Sequence, residues 1–202
     1  MNIITTFHHS FAGGSKNTCR LIHKLSNFGY KIEGYFNEIP QYFEYTHSKV
    51  KIRKIPNIEN ISEVINNSSL DNYIFANYII ENAKINENTV LFGANLFPYC
   101  NILLETKAIL KVIKLINPKL VVHPVGSDIW QIGPKIKNRI KWMLENPLID
   151  TICTYSSRFI CEIQEYYNIS RSILILPPIL ETNRFRKINE KTRIKRRMLN
   201  GL

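Results

Sequence analysis

The 202-residue sequence has no run of about 18 or more uncharged apolar residues, so the pattern of a membrane-spanning helix is missing. The richest stretch, residues 102–116, is broken by Glu105, Lys107, Lys111 and Lys114. The N-terminus has neither the basic segment nor the apolar core of a signal peptide, which leads us to expect a cytoplasmic protein. Its four cysteines, Cys19, Cys100, Cys153 and Cys161, form no C-x-x-C pair and no zinc spacing with the histidines. In a reducing compartment they are expected to be small core residues. A G-x-S-x-G elbow, a P-loop and a G-x-G-x-x-G turn are all absent, which counts against a serine hydrolase, a P-loop enzyme and a standard dinucleotide dehydrogenase. His8 and His9 have no carboxylate at ligand spacing, so no metal is expected, and no cofactor.

Acidic residues are also scarce. Lys and Arg number 27 against 16 Asp and Glu, a net charge of +11. Such a surplus attracts nucleic acids, anionic membrane surfaces and phosphorylated substrates. The cations are spread along the chain among apolar positions, however, and cluster densely only at 187–197. There is no RNP-like aromatic motif, recognition helix or zinc module, so nucleic acid is not the expected partner.

What the chain does have is a regular alternation. An apolar strand, Ile3-Ile4-Thr5-Thr6-Phe7, leads through Gly13-Gly14 into a helix with Thr18, Leu21, Ile22, Leu25 and Phe28 at helical spacing. Gly29 stops that helix, and residues 31–36 begin a second strand. Further strands are predicted at 50–55, 89–92, 120–123, 149–154 and 173–176. Helical patterns occupy 57–86 (with Tyr73, Ile74, Asn77, Tyr78 and Ile80), about 99–116, a stretch after Asp128 that includes Trp130, Ile132, Ile136, Ile140 and Leu144, and a stretch through Phe159, Ile163 and Tyr166. The 99–116 helix is expected to bury Ile102, Leu103, Ile109, Val112, Ile113 and Ile116. Near-continuous apolar strands separated by helices imply an α/β fold, a Rossmann-like, mostly parallel sheet with helices on both faces. One domain is expected over residues 1–186, followed by a basic, helical tail or connector at 187–202.

In such a sheet, ligands bind at the carboxyl ends of the strands. Four segments fall there: 7–16, Gly93-Ala94-Asn95, 123–128 and 155–158. In the first, Gly13 and Gly14 let the unpaired N–H groups of a helix start approach an anion, with Ser15 and Lys16 beside them. The same pair equally serves an ordinary tight turn. In the third, Gly126 permits a sharp turn, and Ser127 or Asp128 can cap the helix or face a ligand. His123 can contact a sugar or polarise a hydroxyl, or can be a hydrogen-bonded structural residue. Ser156 is a natural helix cap as well as a candidate contact. Arg158, in a first helical turn where the macrodipole disfavours a cation, is a candidate anion contact.

Taken in order, these segments resemble the N-terminal domain of GT-B glycosyltransferases of the family 4 type. The resemblance rests on Gly13-Gly14, the helix through Leu25 and Phe28-Gly29-Tyr30-Lys31-Ile32. It continues in Val125-Gly126-Ser127-Asp128-Ile129-Trp130, in Asp150-Thr151-Ile152-Cys153-Thr154-Tyr155-Ser156, and in Leu176-Pro177-Pro178 through Asn183-Arg184-Phe185. It covers nearly the whole chain and implies sugar transfer from a nucleotide-sugar donor to a glycan or lipid-linked acceptor, in a cleft between two Rossmann-like domains. By carry-over, Gly13, Gly14 and Gly126 to Asp128 line that cleft, and His123 and Asp128 are the candidate catalytic groups. Val125 stands where the family has a histidine; His123, two residues earlier, shares its strand face. Lys16 replaces an acidic residue, and Pro178-Ile179 replaces Asn-Gly. The family's second domain, with its paired glutamates and most donor contacts, has no counterpart in the sequence. The resemblance therefore implies that the chain does not turn over without one. The other reading is a non-catalytic module whose basic tail docks on anionic membrane or a protein partner.

Overall fold

The structure, a computed structural model, describes residues 1–6, 13–36, 50–54, 69–94, 100–124 and 134–178. All seven expected strands are present: β1 (Asn2–Thr6), β2 (Lys31–Phe36), β3 (Val50–Lys54), β4 (Thr89–Gly93), β5 (Lys119–Val122), β6 (Thr151–Thr154) and β7 (Ile173–Ile175). They form one sheet in the order β3-β2-β1-β4-β5-β6-β7, and every pairing is parallel. A single row of neighbours runs Tyr35, Thr6, Gly93, Val122, Ile152 and Ile173 across six of the strands. The chain reverses its direction of travel between β1 and β4, which makes that crevice the switch point of the sheet.

Parallel strands must be covered on both faces, and alternation supplies apolar side chains to each. Ile3, Ile32, Val50, Phe92 and Cys153 pack with Cys19 and Ile22 of α1 (Gly13–Asn27). Ile4, Leu91, Leu120, Val122 and Ile152 face the opposite way. They meet Phe75 and Ile79 of α2 (Ser69–Asn82), Leu103 of α3 (Asn101–Ile113), Ile140 and Met143 of α4 (Pro134–Glu145) and Ile163 of α5 (Ser157–Tyr167). Pro134 takes the first helical position of α4, where its missing N–H is not needed.

Helix ends correct several expectations. Gly29, at φ +87°, closes α1, and the Tyr30 N–H returns to the Leu25 carbonyl at 3.3 Å. That turn swings Phe28 out, leaving it exposed rather than on the buried stripe. Asn168 (φ 52°) closes α5 in the same way. After α3 the left-handed residue is Leu115 (φ 53°). There the Ile116 N–H bonds the Leu110 carbonyl at 3.1 Å, and Ile116 folds back against Ala76, Ile80, Ile109 and Leu110. Val112 and Ile113, expected in the core, are thereby left outside, 76% and 67% exposed. On α2 the buried stripe is Phe75, Ala76, Ile79 and Ile80, so Tyr73 and Ile74 face solvent. Among the described residues β7 is the last strand of the sheet, and Leu174 and Ile175 are exposed there.

Two polar devices brace the far end of the sheet. Lys107, which interrupts the apolar run in the sequence, is buried in α3 and donates to Asp150 just before β6. Asp150 also accepts from the Leu120 N–H at 2.7 Å and from Lys119 at 3.3 Å. Burial pushes its carboxyl upward, but the bonds from Lys107, Leu120 and Lys119 outweigh that, so it lies below the usual carboxylate range. Arg171, entering β7, donates to the carbonyls of Leu144 (3.1 Å), Asn146 (2.9 Å) and Ile149. It thus satisfies the end of α4 and the loop that follows.

Candidate functional site

The carboxyl edge of the sheet is polar where the rest of it is apolar. Thr5 and Thr6 end β1, Thr154 ends β6, and His123 follows β5; all four are buried. The His123 N–H bonds the Gly93 carbonyl at 2.8 Å, extending the β4–β5 pairing one residue past β5. Period-2 alternation sets His123 and Tyr155 on the α1 face with Phe92 and Cys153. The His123 ring meets Tyr155 edge-on at 4.6 Å and stacks near Phe92 at 6.2 Å. Thr18 and Leu21 of α1, with Leu176, Pro177 and Pro178 after β7, complete a cavity of about 10 Å³, room for a single water.

His123 is 4% exposed, and burial lowers its pKa to about 4. The ring is therefore neutral at physiological pH, with one nitrogen donating and the other accepting. Its Nε2 has no hydrogen-bond partner among the described residues, nor do Thr5 Oγ1 and Thr154 Oγ1. Buried polar atoms are almost always paired, and these three fall together at the carboxyl edge of the sheet, while another, Asn72 Oδ1, lies elsewhere. A neutral imidazole between two aromatic rings can orient a hydroxyl; the thiols nearby cannot react readily. Burial pushes Cys19 and Cys153 up to about 12, leaving both protonated.

Gly93 leaves room for a neighbouring side chain here. A Cβ on it would lie 2.5 Å from the Cys100 Sγ, so the buried thiol packs against β4 in space that a side chain at position 93 would take.

The structure places the expected site residues unevenly. Gly13 and Gly14 are the first residues of α1 rather than a turn before it, so their N–H groups belong to its unpaired first turn. Ser15 and Lys16 lie in the same turn; their side chains, like all of Gly126, Ser127, Asp128 and the 187–202 tail, fall outside the described residues. Ser156 caps α5, its Oγ accepting from the Phe159 N–H at 3.4 Å. Arg158 is 85% exposed and pairs with Glu162 at 2.7 Å, one helical turn on. The cavity around His123 brings in Tyr155, the first residue of the expected 155–158 segment, together with Thr18, Leu21 and Leu176, which sequence reasoning did not assign to a site. Tyr155 lies two residues on from Cys153, on the same face and past the strand end.

No protein-family model matches the sequence, and no curated protein matches it. Solved structures do match. One is a glycosyltransferase from Rickettsia africae ESF-5, aligned over 99% of this chain and 49% of its own, with a TM-score of 0.63 and 12% identity. Another is WaaG, a glycosyltransferase involved in lipopolysaccharide biosynthesis, over 100% of this chain and 51% of its own, with a TM-score of 0.54 and 13% identity. The chain thus spans about half the length of the structures it matches. Its seven-stranded parallel sheet, its helices on both faces and its fit to half of these molecules give it the fold of a Rossmann-like half of a GT-B glycosyltransferase.

Proposed function

We propose that the chain is the N-terminal, acceptor-side half of a sugar-transferring enzyme, acting with a second Rossmann-like domain. The donor would be a nucleotide-sugar and the acceptor a glycan or lipid-linked sugar. The observation that carries this reading is the buried, neutral His123, its Nε2 unpartnered among the described residues, at the carboxyl edge of a sheet shared with transferases of twice the length.

In the reaction, an acceptor hydroxyl oxygen bonds to the anomeric carbon while the bond from that carbon to the nucleotide diphosphate breaks; the diphosphate leaves with the bonding pair and takes up the hydroxyl proton. The hydroxyl must be held in line and freed of bulk water. His123 suits this, because an imidazole with its pKa near 4 stays neutral and can accept the hydroxyl's hydrogen bond. Phe92 and Tyr155 offer apolar walls around it. The first-turn N–H groups of α1, at Gly13 and Gly14, are suited to diphosphate oxygens. Asp128 with Gly126 and Ser127 is assigned to the same cleft on the resemblance alone.

The test is an amide NMR titration of the chain with a panel of methyl glycosides, and separately with uridine diphosphate. Glycosides are expected to shift Thr18, Leu21, His123 and Tyr155, and His123→Ala should abolish those shifts. A panel that leaves this pocket unmoved in the folded protein refutes the acceptor-side reading. Transfer from a nucleotide-sugar by this polypeptide alone refutes the need for a second domain.

A further inference from the structure

The cavity beside His123 is too small for the substrate its chemistry suits. At about 10 Å³ it has room for one water and none for a sugar ring. A hydroxyl carried by a sugar therefore reaches the imidazole only if part of the wall withdraws. Among the described residues, the walls are held unequally. Thr18 and Leu21 lie in the middle of α1, and His123 is tied to β4 through the Gly93 carbonyl. Tyr155 packs edge-on against Phe159 of α5, with ring centres 6.4 Å apart. The remaining wall is Leu176-Pro177-Pro178, which runs on from β7, a strand of only three residues. Leu176 is half-buried on the α1 face, and its N–H reaches the Thr154 carbonyl at 2.7 Å. Both prolines are exposed and have no N–H to give, so the Leu176 N–H is the last donor that ties this strap to the sheet.

We infer that residues 176–178 form a gate over His123. Closed, the strap keeps bulk water from the imidazole, and with it the rival acceptor that would hydrolyse a bound donor. Open, it admits the acceptor hydroxyl. Each proline fixes its own φ and holds the residue before it extended, so the strap swings as one stiff piece about the Leu176 tie. Opening breaks one hydrogen bond and bares part of one leucine, far less than unfolding the chain requires. The helix and the strand ends opposite cannot yield so cheaply, because α1 would lose its packing on Ile3, Ile32 and Val50. The gate takes its purpose from the sugar-transfer reading, but its test contains no sugar, so the two fail separately.

The experiment is carbethoxylation of the full chain by diethyl pyrocarbonate at neutral pH, with the rate at His123 read by peptide mass spectrometry and amide hydrogen exchange followed in parallel. The reagent takes the neutral imidazole, which is the form His123 already holds, so access alone limits its rate. That rate is expected to be independent of urea below the unfolding transition, because opening the strap exposes little surface. The Leu176 amide should exchange on the order of tenfold faster than the His123 amide, which bonds within the sheet. Leu176→Ala and the double variant Pro177→Gly/Pro178→Gly should each raise the His123 rate on the order of tenfold. Both should also move its pKa from about 4 toward 6.5, read from imidazole NMR shifts. A His123 rate that rises with urea as global unfolding does overturns the inference. So does a rate within about twofold of the parent's in both variants, or a rise no larger than each variant's loss of global stability accounts for.

Discussion

Replacing Gly93 by alanine tests the geometry that shapes the carboxyl edge of the sheet. The added Cβ would stand 2.5 Å from the Cys100 Sγ, about 1 Å inside ordinary contact, with the Leu103 Cδ1 at 3.5 Å and the Cys100 Cα at 3.7 Å. Only the first of these distances is a clash. Cys100 is fully buried at the start of α3, so relief requires the thiol to turn into packed neighbours or the helix to retreat from β4. Overpacking of this kind costs about 2–3 kcal/mol. Cys100→Ala alone loses a buried sulfur and should cost about 1–2 kcal/mol. In the double variant the alanine methyl at 93 occupies the space that the sulfur vacated, so the two losses should not add. A coupling of about 2 kcal/mol is expected, measured by urea unfolding followed by circular dichroism, with unchanged m-values confirming two-state comparison. Additive losses, or a Gly93→Ala variant within about 0.5 kcal/mol of the parent, would refute the close approach of the Cys100 thiol to position 93.

The other predictions concern charge and helix ends. His123 has a folded-state pKa of about 4 against an ordinary 6.5, so the unfolded chain binds its proton first as pH falls. Its contribution is complete above pH 6.5 and is lost as pH drops toward 4, on the order of 3 kcal/mol in all; His123→Phe should flatten that part of the stability profile. Asp150 has its carboxyl lowered, so its stabilisation is present above the ordinary carboxylate range and disappears as pH falls through the lower folded value. Asp150→Asn should remove that acid limb and cost about 3 kcal/mol at neutral pH, because Lys107 keeps a buried charge without its carboxylate. Leu115→Gly relieves the left-handed backbone by about 1–2 kcal/mol and returns part of that to the unfolded chain, for a net gain of about 0.5–1 kcal/mol in thermal unfolding. Leu115→Val, β-branched at the same φ, should lower stability instead.

The fold could be read from the sequence because parallel strands leave a coarse signal. Most of the seven strands are short apolar runs, β3 (Val50–Lys54) is an alternating one, and periodicity needs no tertiary information to show them. Side-chain fate at the helix ends was harder to read. Val112 and Ile113 continue the apolar spacing of α3, and nothing local announces that Leu115 will turn left-handed and send Ile116 back to the core alone. Lys107 was misleading in the opposite sense. It looks like a solvated interruption, yet Asp150, 43 residues on, makes its burial possible. Such pairs arise only when crossovers bring distant strand starts together.

The same distinction separates the parts of the candidate site. Glycines and caps act on their own backbone, so Gly29 and Ser156 are where the sequence puts them. His123 was visible as a histidine at a strand end, but its chemistry belongs to the assembled edge. Phe92 from β4, Tyr155 just past β6 and Leu21 from α1 pack around it, and Phe92 and Leu21 look like ordinary core residues when read alone. Dehydration is what lowers its pKa to about 4. A solvated histidine at the same position would be partly protonated near neutrality and compromised as an acceptor for a hydroxyl. The dehydration of His123 therefore depends on three strands and a helix that meet there. A substitution at Leu21 or Tyr155 that admits water should raise the His123 pKa toward 6.5 without touching the imidazole itself.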